Sequence, residues 1–131
     1  MGISKYFKTM DAEGEIAPYR ICAHGTADYA VKQATAATDA LVGTADDLGT
    51  QANGRVDVCM GGLPEVEAGG TLAAGDPITS DAEGKAVKAT AAGNRIIGFA
   101  MTAASAGDII PYQYAPGTLG VAASTPSDSD G

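Results

Sequence analysis

From Gly61 onward the chain cannot run more than about ten residues without meeting a chain-reversal signal. "GGLPEVEAGG", "AAGDP", "SDAEGK", "AAGNR", "ASAGD" and "APG" follow one another at intervals near the 8–12 residues of proteins built from short strands. Helices of ordinary length do not fit between such signals. The segments that do fit, "PITS", "KAVKAT", "RIIGFAMT" and "DIIPYQYA", are short and rich in β-branched and aromatic residues, so each reads as a strand. Pro77 suits a strand start, and Pro111 an edge or a bulge.

The first half carries a sparser version of the same grammar. In "PYRICAH", Tyr19, Ile21 and Ala23 alternate with Arg20, Cys22 and His24, which is the period of a half-buried strand. In "RVDVCM", Val56, Val58 and Met60 share a face opposite Asp57 and Cys59. "YAVKQAT" reads as a third strand, and "ATAATDAL" as either one helical turn or a loop. The expected fold is all-β: a compact small barrel or sandwich of short antiparallel strands spanning residues 17–116. An extended N-terminal arm (1–16) precedes it and a flexible C-terminal tail (117–131) follows. The tail, "GTLGVAASTPSDSDG", is too small and polar to bury a core of its own.

The tetrapeptide Asp-Ala-Glu-Gly occurs twice, at 11–14 and 81–84. Its carboxylates suggest a cation site, but the second copy lies between two strand-like pieces. There Asp81 reads as a turn cap and Gly84 as the residue supplying positive φ. Neither copy places Gly and Glu where a calcium loop needs them.

No constellation of catalytic or metal-binding type is evident. Cys22, His24 and Cys59 are the only soft ligands, lack the paired spacing and fourth ligand of a structural zinc site, and read as packed thiols with a strand histidine. The one histidine has no evident orienting partner, and neither a nucleophile elbow nor a phosphate-binding glycine pattern is present. No cofactor is expected. Lys85, just past the second Asp-Ala-Glu-Gly turn, is similar to the lysine that biotinyl and lipoyl carriers display on a hairpin. A carrier or enzyme accessory domain presenting Lys85 is therefore the alternative function. A carbohydrate-binding module is a weaker third reading, since the chain has no Trp.

Composition adds two constraints. Leu, Ile, Val and Phe number only 22 of 131 residues against 26 Ala, so an isolated subunit gathers a thin core and self-association is expected. The formal charge of −8 disfavours nucleic acid and anionic membrane as partners. No apolar run reaches the length of a membrane span, and no signal-peptide core follows the basic start. That start, "MGISKYFKTM", holds Lys5 and Lys8 without an acid beside Tyr6 and Phe7. Aromatic anchors with a charged rim are the usual pattern of an interface, which makes Lys5, Tyr6, Phe7 and Lys8 the candidate contact residues.

The order of motifs from Gly75 to Asp108 resembles one family. G-D-x-[IV]-x-S-D-A-x-G-K-A-V over Gly75 to Val87, R-I-[IV]-G-x-A over Arg95 to Ala100, and A-S-A-G-D over Ala104 to Asp108 are similar to the small capsid cement, or head decoration, proteins of tailed bacteriophages. The likeness extends more weakly through "YRIC", "ALVGTAD" and "GRVDVCMGG", from about Pro18 to Gly117. Cys22 and Cys59 stand where aliphatic residues are expected. The resemblance implies a non-enzymatic β-protein, made in the host cytoplasm, that binds the major capsid protein on the outer surface of the assembled head and stabilises it. With the thin core, homo-oligomers are expected, a trimer before a dimer, and the capsid setting makes Lys5, Tyr6, Phe7 and Lys8 capsid-contact candidates.

Overall fold

Strands occupy the stretches between the turn signals in the computed structural model, which describes residues 5–120. They are β1 (Lys5–Ala12), β2 (Ile21–His24), β3 (Ala30–Gln33), β4 (Leu41–Ala45), β5 (Arg55–Gly62), β6 (Glu65–Glu67), β7 (Pro77–Ser80), β8 (Ala86–Lys88), β9 (Arg95–Ala100) and β10 (Ile109–Thr118). No helix occurs among the described residues, and the chain is all-β. "ATAATDAL" is a loop: the Asp39 carboxylate accepts the Thr35 N–H at 2.9 Å and the Asp39 N–H reaches the Ala36 carbonyl. That local bonding outcompetes a helical turn.

The first five strands close a barrel in the order β1-β3-β2-β4-β5, and the last five form a sheet in the order β6-β10-β9-β7-β8. Every ladder between strands is antiparallel except β1 with β3, which is parallel. Two apolar cores result. Met10, Ile16, Cys22, Val31, Val42, Ala45, Val56 and Val58 fill the barrel. Ile21, Ala23, Val66, Leu72, Ile78, Ile97, Ile110 and Tyr112 are among those that fill the space between the barrel and the second sheet.

Strands β2 and β4 belong to both cores. Cys22 points into the barrel while its neighbours Ile21 and Ala23 point to the sheet, and all three are buried. The alternation that suggested a half-buried strand is thus the alternation of a strand buried on both faces. Cysteine was counted as polar there, although a buried thiol packs as a small apolar group. At the centre of this wall Gly43 admits no side chain, because a Cβ would collide with the Cys59 carbonyl oxygen on β5.

The residues that begin the chain's description depart from a free arm. Lys5–Ala12 is extended but is built into the barrel, hydrogen-bonded along β5, and it contributes Met10 to the barrel core. The apolar content of "YFKTM" is used for barrel closure, which composition alone did not distinguish from docking on a partner. Strand β10 likewise continues through Gly117 and Thr118, paired with Ile96 and Arg95, and Leu119 exchanges backbone hydrogen bonds with the Gly93–Asn94 turn. The tail expectation beyond residue 120 lies outside the described residues. Pro111 is not on an edge, since β10 runs between β6 and β9; it sits just before Tyr112, where the β9 ladder begins at Ala100.

A buried polar contact ties the two cores together. Thr44 on β4 and Tyr112 on β10, both fully buried, share a hydrogen bond of 3.0 Å. Burial pushes the Tyr112 phenol well above its ordinary pKa, with the Thr44 hydrogen bond opposing, so the hydroxyl stays neutral. Removing one partner strands the other in an apolar space. Tyr112→Phe or Thr44→Val alone should each cost about 1–3 kcal/mol, and the double variant should recover much of that loss. Urea denaturation of the four proteins in this cycle measures it.

Candidate functional site

Strand β1 is paired on one side throughout and on the other only at its end. Against β5 the register runs from Lys5↔Gly62 to Asp11↔Arg55, with an irregularity between Lys5 and Phe7. Against β3 it holds only Asp11↔Ala30 and Ala12↔Val31. The cause is local: β3 begins only at Ala30, and the residues before it, 25–29, are a loop that forms no ladder with β1. Among the described residues, therefore, Lys5 to Thr9 has no strand on its second side.

That loop is built with care. The Glu13 carboxylate reaches across to accept hydrogen bonds from the Thr26 N–H (2.9 Å), the Ala27 N–H (3.0 Å) and the Thr26 hydroxyl (3.0 Å). Backbone bonds from Gly25 N–H to the Ala30 carbonyl and from Asp11 N–H to the Tyr29 carbonyl close its base. Tyr29 is held at φ +58°, a left-handed conformation that costs a bulky residue free energy, and the residue is 74% exposed. The Lys8 ammonium lies 5.8 Å from the centre of that ring, close enough for a cation–π contact. Below them opens a cleft of about 500 Å³, lined by Met10, His24, Gly25, Thr26, Asp28 and Tyr29.

The candidate residues from the sequence fall around this place in different ways. Lys8 stands at the mouth of the barrel beside Tyr29. Tyr6 is 60% exposed at the irregular start of β1. Phe7, 41% exposed, lies on the outer wall, at a crevice it shares with Thr44, Cys59 and Pro64 where barrel and second sheet meet. Lys5 opens β1 opposite Gly62. Tyr29 went unnoticed in the sequence, because a tyrosine before "AVKQ" looks like the first residue of a strand. Its left-handed backbone has no signature in the residue type.

The other residues singled out serve the fold. Cys22 lies inside the barrel, Cys59 is buried on its outer wall, and His24 is exposed at the mouth, so the three soft ligands are divided among separate places. Burial pushes the Cys22 thiol up to about 12, which leaves it protonated and inert. Lys85 is not displayed at a hairpin tip. Its ammonium lies 3.7 Å from Glu67 and 3.5 Å from Glu83, while Arg20 Nε holds the other Glu67 oxygen at 3.2 Å.

The second Asp-Ala-Glu-Gly copy is the turn expected. Asp81 Oδ1 accepts the N–H groups of Glu83 (2.8 Å) and Lys85 (2.9 Å), and Gly84 has φ +73°. The first copy works differently, with Asp11 paired to Arg55 at 3.3 Å and Glu13 clamping the loop.

The arrangement offers exposed aromatic residues, a cation and a strand segment paired on one side only. The sequence model of the phage cement protein family matches residues 9–111. The chain belongs to the phage cement protein family. It is thereby a structural protein of the phage head. The match begins at Thr9, so Lys5, Tyr6, Phe7 and Lys8 precede the segment that this cement protein shares with the family model. In three dimensions the fold is similar to the crystal structure of the head fiber gp8.5 N base in bacteriophage phi29. The TM-score is 0.59 at 22% identity, covering 88% of this chain and 98% of that one. No curated protein gives a significant match.

The Glu13 clamp of the cement protein is sensitive to pH. Backbone hydrogen bonds from Thr26, then from Ala27, hold the Glu13 carboxyl below its ordinary value of 4.5. A group with a depressed folded pKa contributes stability above its unfolded pKa and loses it as pH falls through the folded value. The Thr26 and Ala27 amides should therefore keep their protection from hydrogen exchange at pH 6 and lose it below pH 4.5. Glu13→Gln should weaken it at both. Amide exchange followed by NMR reads this directly.

Proposed function

We propose that this protein binds the outer surface of the assembled phage head, through contacts with the major capsid protein, and stabilises the shell without catalytic activity. The observation that carries the reading is the first half of β1 with the loop beside it: Lys8 and Tyr29 stand together at the barrel mouth, and Tyr6 and Phe7 are exposed on the same strand as Lys8, in a chain whose net charge is −8. Exposed aromatic side chains beside a cation are costly to leave in water and are the common anchors of protein interfaces. Family membership supplies the setting in which such a surface is used.

Copies of the protein associate with one another on the head, as a trimer or a dimer. The thin core supports this: alanine is the commonest residue, and an Ala side chain buries little area, so contacts with sister subunits add burial that the single chain lacks. Repetition on a lattice also raises avidity without strong individual contacts. The carrier reading has lost its basis, since Lys85 is held in two ion pairs.

Deleting the first ten residues cannot test the contact surface, because Met10 fills the barrel and β1 closes it. Substitutions can. The purified protein should bind undecorated heads saturably and raise the temperature at which they rupture. Lys8→Glu should weaken binding about fivefold at low salt and much less at high salt, as for a rim charge. Combining Tyr6→Ala with Tyr29→Ala should weaken it by about tenfold or more at either ionic strength. Cosedimentation with heads measures both, and equal binding by all variants would contradict the assignment of this surface.

A further inference from the structure

The unpaired half of β1 is a ladder with one side missing. On the β3 side the Asp11 N–H bonds to the Tyr29 carbonyl and the Glu13 N–H to the Val31 carbonyl, whereas the Ala12 N–H bonds to Gly54 on the β5 side. Backbone direction alternates along a strand, and the register with β5 is continuous from Phe7 to Asp11. Phe7 and Thr9 therefore aim their N–H and C=O groups at the open side. Two donors and two acceptors stand in line there, and among the described residues no backbone partner meets them.

We infer that this edge, Lys5 to Thr9, accepts one extended strand of the capsid shell protein, running past Tyr29 and carrying an acidic residue near Lys8. The inference rests on the function proposed above and specifies how the contact is made. Strand addition gives affinity through main-chain hydrogen bonds and specificity through the side chains on either side of the groove.

Edge strands are often merely blunted by lysine, and β1 carries Lys5 and Lys8. Blunting does not account for the wall on the far side of the gap. Glu13 fixes the 25–29 loop through the Thr26 N–H, the Thr26 hydroxyl and the Ala27 N–H, and Tyr29 at its end stands exposed in a costly backbone conformation beside a cleft large enough for side chains of an incoming strand. A rigid aromatic beside an open edge is a preorganised groove.

Charge selects the occupant. A second copy pairing edge to edge through Phe7 and Thr9 about a two-fold axis would set Lys8 directly against the Lys8 of that copy, which is unfavourable across adjacent strands. The chain's own residues 121–131 carry Asp128 and Asp130 but consist mainly of Ala, Ser, Asp, Pro and Gly, a poor strand-forming composition. An acidic extended segment of the shell answers both objections.

The test uses undecorated heads and the full chain. Hydrogen-exchange mass spectrometry should show the peptide containing Phe7 to Thr9 becoming protected when the protein is on heads, and exchanging readily in the free protein. Thr9→Pro removes one open-side N–H and leaves the β5-facing groups of Lys8 and Met10 in place. Thr9→Val keeps that N–H while losing the 2.6 Å hydrogen bond from the Thr9 hydroxyl to Asp57. Thr9→Pro should bind heads at least about tenfold more weakly than Thr9→Val.

Equal binding by the two variants, or no added protection at Phe7 to Thr9 on heads, overturns the inference while leaving head binding itself intact. If Thr9→Pro does not fold, the exchange of the intact protein decides alone. Protection in the free protein that disappears on dilution assigns the edge to a second copy and also overturns it. Protection that persists on dilution and is lost on truncation after Gly120 assigns it to residues 121–131, with the same result. Failure of the intact protein to bind heads removes the function and this inference together.

Discussion

The fold depends on a wall two strands wide that is apolar on both faces. Strands β2 and β4 send Cys22, Val42 and Ala45 into the barrel and Ile21, Ala23 and Leu41 towards the second sheet. For a chain with so few large apolar residues, this is an effective use of them. Each backbone segment in the wall is ordered once and buries side chains twice, so the entropy of ordering is set against burial on two sides. The wall must also be thin, hence Gly43, and its polar groups must be satisfied, hence the Thr44–Tyr112 hydrogen bond. The Tyr114 hydroxyl adds a second tie, donating to the Val42 carbonyl at 2.6 Å.

A turn joins the two halves at the surface. Gly84 donates no side chain to anything, yet its carbonyl accepts the Ile21 N–H at 2.7 Å and a Cβ there would press on Arg20, Ile21 and Gln33. The Asp81–Gly84 turn therefore docks on the start of β2, and Arg20, Glu67, Lys85 and Glu83 form an ion-pair network over the joint. A motif whose carboxylates suggested a cation site is a fastening between barrel and sheet. Its charges are partly exposed, so the fastening rests more on backbone fit than on the ion pairs.

Much of this was legible in the residues, and the failures have physical reasons. Turn chemistry is local, so Gly84, Pro77 and the short strands between the signals were found where expected. Val56 and Val58 showed their face because Asp57 opposes them. Cys22 misled because a thiol serves in either environment, and β2 was read as half-buried when it is buried twice. Tyr6, Phe7 and Met10 were read as an arm because nothing in ten residues reveals that a strand far along the chain, β5, will pair with them. The parallel contact of β1 with β3 and the left-handed Tyr29 are consequences of closure, and closure is not a local property. The proposed contact surface therefore combines Lys8, Tyr6 and Phe7, which the residue pattern singles out, with Tyr29, whose loop no local pattern places beside β1.

The same closure links fold to function in the cement protein. Strand β1 completes the barrel on one side and leaves its first half open on the other, so the element that seals the core also presents the surface proposed for capsid contact. This arrangement requires that barrel and second sheet form one cooperative unit, since a barrel that opened independently would lose β1 and its surface while the sheet persisted. The decisive measurement is equilibrium unfolding in urea followed by methyl NMR signals from Val56 and Val58 in the barrel and from Ile78 and Ile97 in the second core. A shared wall predicts one transition with the same midpoint and slope for all four. Loss of the barrel signals at lower urea than the sheet signals, or the reverse, would contradict the account.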